Sequence, residues 1–138
     1  MVTYHGTDIA SANHIIGPPS NIDVTRGGGE LGRGFYLGEN VALAAALSRG
    51  KFGLDGVVLK FEIDETAYAQ LNTRVINRRV NVYTFWKCLI IRGLTRKHLY
   101  NVDVVCAPFA TIGFSFQYKF ESQNAQATLN NHSTKQIL

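Results

Sequence analysis

The stretch that decides the fold reads GGGELGRGFYLGEN, residues 27–40. It opens as a glycine loop, and GFYLG (34–38) then predicts a buried strand. The following ENVALAAALSRG (39–50) predicts a helix that stops at its final glycine. Residues 27–32 match G-x-G-x-x-G literally. A dinucleotide fingerprint needs a helix opening at its end, and strand-like sequence follows here instead, so we reject that motif.

On both sides of this stretch, strand and helix patterns are mixed without regular βαβ alternation. This arrangement predicts one α+β domain over residues 1–138. An 18-residue loop separates the first helix from the candidate buried strand, and a loop of that length predicts a functional or mobile segment. The other predicted elements are strands at 1–5, 56–64, 102–108 and 114–120, helices at 8–16 (capped by Asp8), 82–94 (largely buried) and 122–132 (capped by Ser122), and a helical turn at 65–72.

Composition excludes several classes of protein. A hydrophobic content of 46% suits a packed core and is too high for a disordered chain. No apolar run reaches the length of a transmembrane helix, and the N-terminus lacks the pattern of a signal peptide. Cys88 and Cys106 lie in apolar segments without metal-ligand spacing, so we expect two reduced core thiols. These features predict a cytoplasmic protein that does not associate with membranes.

The charge is unevenly distributed. Residues 66–102 contain seven basic residues and no acidic one, whereas the rest of the chain has seven basic and ten acidic residues. A basic region of this kind attracts nucleic acid, phosphates or an acidic protein partner. The alternative is a basic face that is merely solvated.

The histidines do not indicate a metal site. His14, His98 and His132 are isolated from one another and from carboxylate clusters, so we predict no metal ligands. His5 differs because it ends the first predicted strand, directly before a glycine. The chain contains no Gly-x-Ser-x-Gly elbow and no cysteine–histidine pairing that would favour nucleophilic hydrolysis.

YHGT (4–7), followed about thirty residues later by GRGFYLGENVALAAA, resembles the first half of an ADP-ribosyltransferase of the diphtheria-toxin and poly-ADP-ribose-polymerase type. That class has His-Gly-Ser/Thr on its first core strand and Gly-x-Gly-Phe/Ile-Tyr on the next, with a helix behind it. FWKCLIIRG, VDVVCAPFA and FSFQYKFESQNAQATL resemble a small bacterial toxin-like branch. Cys106-Ala107-Pro108 departs by one residue from the Gly-Pro of that branch. The resemblance implies split antiparallel β-sheets flanked by helices.

The resemblance also implies site residues for NAD as co-substrate. His5 would hydrogen-bond a ribose hydroxyl, the backbone of Gly6 would hold the nicotinamide amide, and Tyr36 would stack on the nicotinamide ring opposite His5. Residues 17–34 would form a flexible lid over the dinucleotide. Thr7, Gly34 and Phe35 would complete the cofactor contacts, with Arg26 and Arg33 as candidate pyrophosphate ligands.

A third position separates this chain from many relatives, which place a glutamate on a late strand. By alignment of FQYKFES, Gln117 takes that place, with Glu121 as the alternative. Strand alternation predicts Gln117, Lys119 and Glu121 on one face. Glutamine can hydrogen-bond ribose hydroxyls but cannot act as a base, which favours transfer of a single ADP-ribose over polymer formation.

The resemblance therefore implies a mono-ADP-ribosyltransferase, a toxin or effector that transfers ADP-ribose from NAD to a protein or nucleic-acid acceptor and releases nicotinamide. It would act in the cytoplasm of its own cell or of a cell into which it is delivered. An acidic antitoxin is the partner implied for the basic region. Two alternatives stay open: an NAD glycohydrolase, and a non-catalytic domain that binds ADP-ribose or nucleic acid.

Overall fold

Seven strands form one sheet in the computed structural model, which describes residues 1–111 and 115–138, and five helices accompany it. This arrangement confirms the predicted α+β class. The strands are β1 (Val2–Asp8), β2 (Phe35–Gly38), β3 (Gly56–Ile63), β4 (Thr73–Val75), β5 (Val104–Pro108), β6 (Phe116–Phe120) and β7 (Ser133–Ile137). The helices are α1 (Ile9–Ile16), α2 (Val41–Phe52), α3 (Glu65–Ala69), α4 (Arg79–Arg92) and α5 (Gln123–Asn131).

The strand order is β4-β5-β6-β2-β1-β3-β7, with β4 and β5 parallel and the other neighbours antiparallel. β1 pairs with β3 over seven residues but with β2 at one described position, Tyr4 with Gly38. The expected split into two antiparallel sheets is therefore not what the structure has. One ladder position keeps the two halves hydrogen-bonded as a single sheet, and we call this place the β1–β2 joint.

Side-chain caps fix the helix starts. Asp8 and Ser122 accept hydrogen bonds from the backbone N–H groups of Ser11 and Ala125, as predicted from their positions before α1 and α5. The predicted stop of α2 at Gly50 is wrong. The helix continues to Phe52 and ends at Gly53, whose φ of 59° is a backbone conformation that favours glycine.

Two apolar clusters fill the space around the sheet. The first lies between the sheet and helices α1 and α5, where Phe61 and Phe120 are fully buried. The second lies between α4 and β5, and includes Val82, Val105 and the half-buried Tyr36. The sheet thus has apolar packing on both faces, and each face of β2 contributes to a different cluster.

Helix α4 is much less buried than predicted. Of its residues, Val82 and Leu89 are buried, whereas Ile90 and Ile91 are exposed. Cys88 is exposed as well, so the expectation that both cysteines are core thiols is wrong for this one. Strand β7 was not predicted, and Phe114 of the predicted 114–120 strand lies outside the described residues. No helix in the described ranges is long and apolar enough to cross a bilayer.

Candidate functional site

Three candidate residues distant in sequence lie on adjacent strands at the centre of the sheet. His5 is on β1, Tyr36 on β2 and Gln117 on β6, and the order β6-β2-β1 makes these strands neighbours. Their side chains lie on two faces of the sheet. The His5 ring stacks on Phe35, which packs on the first apolar cluster, whereas Tyr36 packs on the second and the β2–β6 register places Gln117 on the same face as Tyr36.

The His5 imidazole is held in one tautomer. Its Nδ1 lies 2.8 Å from the backbone carbonyl oxygen of Tyr36. Because a carbonyl only accepts hydrogen bonds, Nδ1 carries the proton and Nε2 keeps its lone pair. Burial lowers the pKa of His5, against the opposing effect of the Tyr36 hydrogen bond and with a smaller contribution from Lys51. The neutral ring stacks on Phe35 at 4.4 Å between centroids.

Gly6 directs its peptide groups at β2. In β3, the carbonyl of Val58 accepts a hydrogen bond from the N–H of Leu138 at 2.9 Å, so the polar groups of Val58 point towards β7. Gly6 stands opposite Val58 in the antiparallel register. The two residues therefore form a non-hydrogen-bonded pair, and the N–H and C=O of Gly6 point away from β3, into the β1–β2 joint.

The ladder does not continue across that joint. From the pairing of Tyr4 with Gly38, the next hydrogen-bonded pair would join Gly6 to Tyr36. Instead, the Tyr36 carbonyl accepts a hydrogen bond from the His5 imidazole. Gly6 therefore has no ladder partner in β2 among the described pairs, and its N–H donor and C=O acceptor face the β1–β2 joint. A primary carboxamide has the complementary acceptor and donor.

Helix α2 closes one side of Gly6. A Cβ added to this glycine would lie 2.5 Å from the Ala44 carbonyl oxygen and 3.1 Å from the Ser48 Cβ. The absence of a side chain at Gly6 is therefore what permits α2 to pack against β1. Beside it, Thr7 is buried and its hydroxyl contacts the Asp8 carboxylate at 3.5 Å, so Thr7 is occupied within β1 itself.

The Tyr36 ring does not stand opposite His5. Its hydroxyl donates to the Gly32 carbonyl and accepts a hydrogen bond from the Leu31 N–H at 3.1 Å. A Cβ on Gly29 would come within 2.9 Å of the ring. The glycine loop therefore covers Tyr36, and burial of the phenol raises its pKa. The predicted role as an open stacking platform requires this loop to move.

Gln117 contacts a carboxylate that the sequence analysis missed. Its Nε2 donates to the Glu30 Oε1 at 2.9 Å, and the same carboxylate accepts from the Ala110 N–H at 2.7 Å and the Thr111 hydroxyl at 3.0 Å. Glu30 is the one acidic residue of the glycine loop 27–34. A single carboxylate in an otherwise glycine-rich loop was the sequence feature that could have marked Glu30 as a site residue. The loop thereby places a negative charge beside Gln117.

Glu121 is occupied by structural contacts. Its carboxylate accepts hydrogen bonds from the N–H groups of Tyr100 at 3.0 Å and Asn101 at 2.9 Å. The Lys119 ammonium lies 2.6 Å from the same group, and neither side chain is more than 2% exposed. That ammonium has no acceptor in hydrogen-bond geometry among the described residues, so the contact is an ion pair. Burial lowers the pKa of Lys119, against the opposing effect of Glu121. Both candidates for the third position are thus buried, Glu121 in contact with Lys119 and two backbone N–H groups, and Gln117 in contact with Glu30.

The loop expected to be a flexible lid is anchored along much of its length. Ile22 and Val24 are buried, and their N–H groups donate to the side chains of Asn130 and Gln126 on α5. Apolar burial and these hydrogen bonds hold residues 22–24 on the core. The glycine run 27–29, which precedes buried Leu31, has no side chains to bury and is held by backbone hydrogen bonds, from the Gly29 N–H to the Thr95 carbonyl at 3.1 Å and from the Gly34 N–H to the Gly27 carbonyl at 3.3 Å.

Neither of the two candidate pyrophosphate ligands is a described contact of His5. The Arg26 side chain is 82% exposed and pairs with Asp23 at 3.3 Å. The Arg33 Nε is buried and has no hydrogen-bond partner within residues 1–111 and 115–138, and the charge of Arg33 contributes to lowering the pKa of Lys119. Gly34 is required beside that lysine, since an added Cβ would lie 2.5 Å from the Lys119 Cγ.

Metal coordination has no framework in residues 1–111 and 115–138, where no group of three His, Cys, Asp or Glu side chains is placed to hold an ion. No protein-family model matches the chain, and no curated protein matches it. Function is therefore inferred from the residues and their geometry.

Proposed function

We propose that the chain is a mono-ADP-ribosyltransferase with an ADP-ribosyltransferase-like fold, using NAD as co-substrate and a macromolecule as acceptor. The observation that supports this most strongly is the β1–β2 joint, where the described ladder does not include Gly6 and the N–H and C=O of Gly6 face β2 beside a neutral histidine. NAD carries a primary carboxamide at one end and ribose hydroxyls next to it. The joint matches both kinds of group.

Each residue at the joint has a distinct part in this proposal. Gly6 binds the carboxamide through two backbone hydrogen bonds, which orients the nicotinamide ring. The unprotonated Nε2 of His5 accepts a hydrogen bond from a ribose hydroxyl. When bound, NAD supplies the bond between nicotinamide and ribose that is broken during transfer. The rigid strand positions of His5 and Gly6 make this binding preorganised.

Gln117 and Glu30 divide the task of the missing glutamate. Gln117 is 2% exposed and faces the same side of the sheet as Tyr36, so in this proposal it hydrogen-bonds ribose hydroxyls after the glycine run has moved. Glu30, 2.9 Å from the Gln117 amide nitrogen, provides the negative charge that an amide lacks. Access to Tyr36 requires the glycine run to lift from the ring. A loop with three consecutive glycines can make that movement because glycine has the widest choice of backbone conformations.

The biological setting belongs to the same proposal. A small NAD-consuming transferase would act as a toxin or effector in a cytoplasm, on a protein or nucleic-acid acceptor. Its own cell would then need a neutralising partner, and the basic residues between Thr66 and Val102 favour an acidic one.

Incubation of the purified chain with biotin-labelled NAD tests the proposal, with and without cell lysate. We expect an acceptor heavier by one ADP-ribose by intact mass, together with release of nicotinamide. His5→Ala should abolish both, and His132→Ala, a change at an exposed histidine, should alter neither. Nicotinamide release at the same rate without lysate would indicate an NAD glycohydrolase. Absence of turnover, with salt-sensitive nucleic-acid binding, would indicate a non-catalytic domain.

A further inference from the structure

The outward face of α4 is apolar and uncovered in the described structure. Val80, Tyr83, Ile90 and Ile91 are all exposed, and Ile91 is 84% exposed. The opposite side of the helix contributes Val82 and Leu89 to the interior. The helix thus has two apolar faces, and the fold uses one. A contiguous exposed apolar face of this kind marks an interaction site.

These exposed side chains follow the spacing of a helix–helix seam. Val80, Tyr83, Lys87 and Ile90 are separated by three, four and three residues, the a/d spacing of a heptad, with Ile91 beside the last. We call these five residues the α4 seam. The Lys87 ammonium lies 5.3 Å from the Tyr83 ring centre and 5.0 Å from that of Trp86. A positive charge is therefore held in the middle of the seam.

The charged residues around the seam in the sequence are all basic. Residues 66–102 carry seven Lys or Arg and no Asp or Glu. A polar residue at a seam position selects its partner by requiring a complementary group opposite. For Lys87 that group is a carboxylate, and the flanking arginines favour further acidic residues along the same partner.

We propose that the α4 seam binds an acidic amphipathic helix of a partner protein, with a carboxylate opposite Lys87. A second copy of this chain is a poor occupant, because pairing two seams would oppose like charges. A membrane surface is disfavoured because the ammonium is central to the face that would enter the lipid, instead of lying on the polar face. Nucleic acid would leave Ile90 and Ile91 without apolar contacts. This binding is independent of NAD turnover.

The test uses the full chain and a designed helical peptide of about three heptads. The peptide has Glu at the one seam position opposite Lys87, Leu at the other a and d positions, and Glu at e and g. A matched peptide has Lys in place of every Glu. Trp86 is the sole tryptophan and lies on α4, so its fluorescence reports binding directly. Alkylation of exposed Cys88 provides a second readout.

We expect the acidic peptide to bind, to slow alkylation of Cys88, and to bind at least about tenfold more weakly to Ile91→Ser or Lys87→Glu. Leu54→Ser, a change at an exposed apolar residue outside α4, should bind as the parent does. The proposal is overturned if the acidic peptide does not bind, or if both peptides bind equally. It is also overturned if self-association, anionic vesicles or single-stranded DNA protect Cys88 better than the acidic peptide.

Discussion

Replacing Glu121 by Gln separates a structural carboxylate from a catalytic one. The side chain is 2% exposed, its ion-pair partner Lys119 is 0% exposed, and the two charges are 2.6 Å apart. The change leaves the ammonium buried without a counter-charge. It also turns one acceptor into an N–H₂ group facing the N–H of Tyr100 or Asn101, each of which now donates to the carboxylate.

Breaking a buried ion pair by removing one partner costs about 3–5 kcal/mol. A domain of ordinary stability, about 5–15 kcal/mol, stays folded after such a loss and can be measured. Urea unfolding followed by Trp86 fluorescence and far-ultraviolet circular dichroism gives the free energy of unfolding. The double variant Lys119→Met with Glu121→Gln should lose less than the single change, with a coupling of about 0.5–3 kcal/mol.

The chain contains a matched control. Lys60 and Glu62 have the same two-residue spacing on β3 and lie 3.1 Å apart, but their side chains are 30% and 57% exposed. Glu62→Gln should therefore cost less than about 1 kcal/mol. Equal losses for Glu62→Gln and Glu121→Gln would refute the reasoning, as would a Glu121→Gln variant of normal stability that has lost only NAD turnover.

Three further predictions concern the site. Gly6→Ala should lower the free energy of unfolding by about 1–3 kcal/mol, because the added Cβ would lie 2.5 Å from the Ala44 carbonyl oxygen. Gly50→Ala, whose Cβ would have nothing within 4 Å, should raise it by about 0.5–1 kcal/mol in the same urea assay. Equal effects would contradict the close packing of α2 on β1. Because the pKa of His5 is lowered in the folded chain, the unfolded chain binds a proton more readily, and stability should fall as the pH drops below about 6.5. His5→Gln should reduce this dependence of stability on pH to the contribution of His98, whose pKa is also lowered. An unchanged slope in urea titrations from pH 8 to pH 5 would count against a neutral His5. Glu30→Gln should reduce the rate of ADP-ribose transfer more than about tenfold with the KM for NAD little changed. Glu65→Gln, a change at a side chain that is 86% exposed, should leave the rate unchanged. Full activity of Glu30→Gln would show that Glu30 does not belong to the site.

The sequence predicted the parts of the fold that rest on local chemistry. Asp8 and Ser122 could be recognised as helix caps because the capping interaction spans three residues. Alternation predicted that Gln117, Lys119 and Glu121 share one face; the first two lie on β6 and Glu121 directly follows its last residue. It did not predict that all three would be buried, because their polar character is compensated by partners elsewhere in the chain.

The errors arise where a local pattern has two solutions. Helix α4 has apolar residues on both sides, so periodicity could not identify which side the core covers. Gly50 looked like a helix stop, but a glycine inside a helix costs only about 1 kcal/mol and the neighbouring packing continues α2. Strand β7, STKQI, is a polar edge strand without the β-branched run that usually reveals one.

Contacts between distant residues were beyond the sequence. Glu30 and Gln117 are separated by 87 positions, and neither residue type announces the other. The direction of the Gly6 peptide groups likewise depends on the register of three strands, and the interrupted ladder beside them depends on the hydrogen bond from the His5 imidazole to the Tyr36 carbonyl. A motif could place His5 and Gly6 on β1, but not the hydrogen bond that interrupts the ladder beside the glycine.

The most direct test of the account is to observe the Gly6 amide during NAD binding. Protein labelled with ¹⁵N-glycine is titrated with NAD, and the two-dimensional amide spectrum is followed, with Gly50, an open position on α2, as the reference. We predict a saturable downfield shift of the Gly6 proton, unchanged Gly50, and loss of the shift in His5→Ala. Saturable NAD binding that leaves the Gly6 resonance in place would contradict the account.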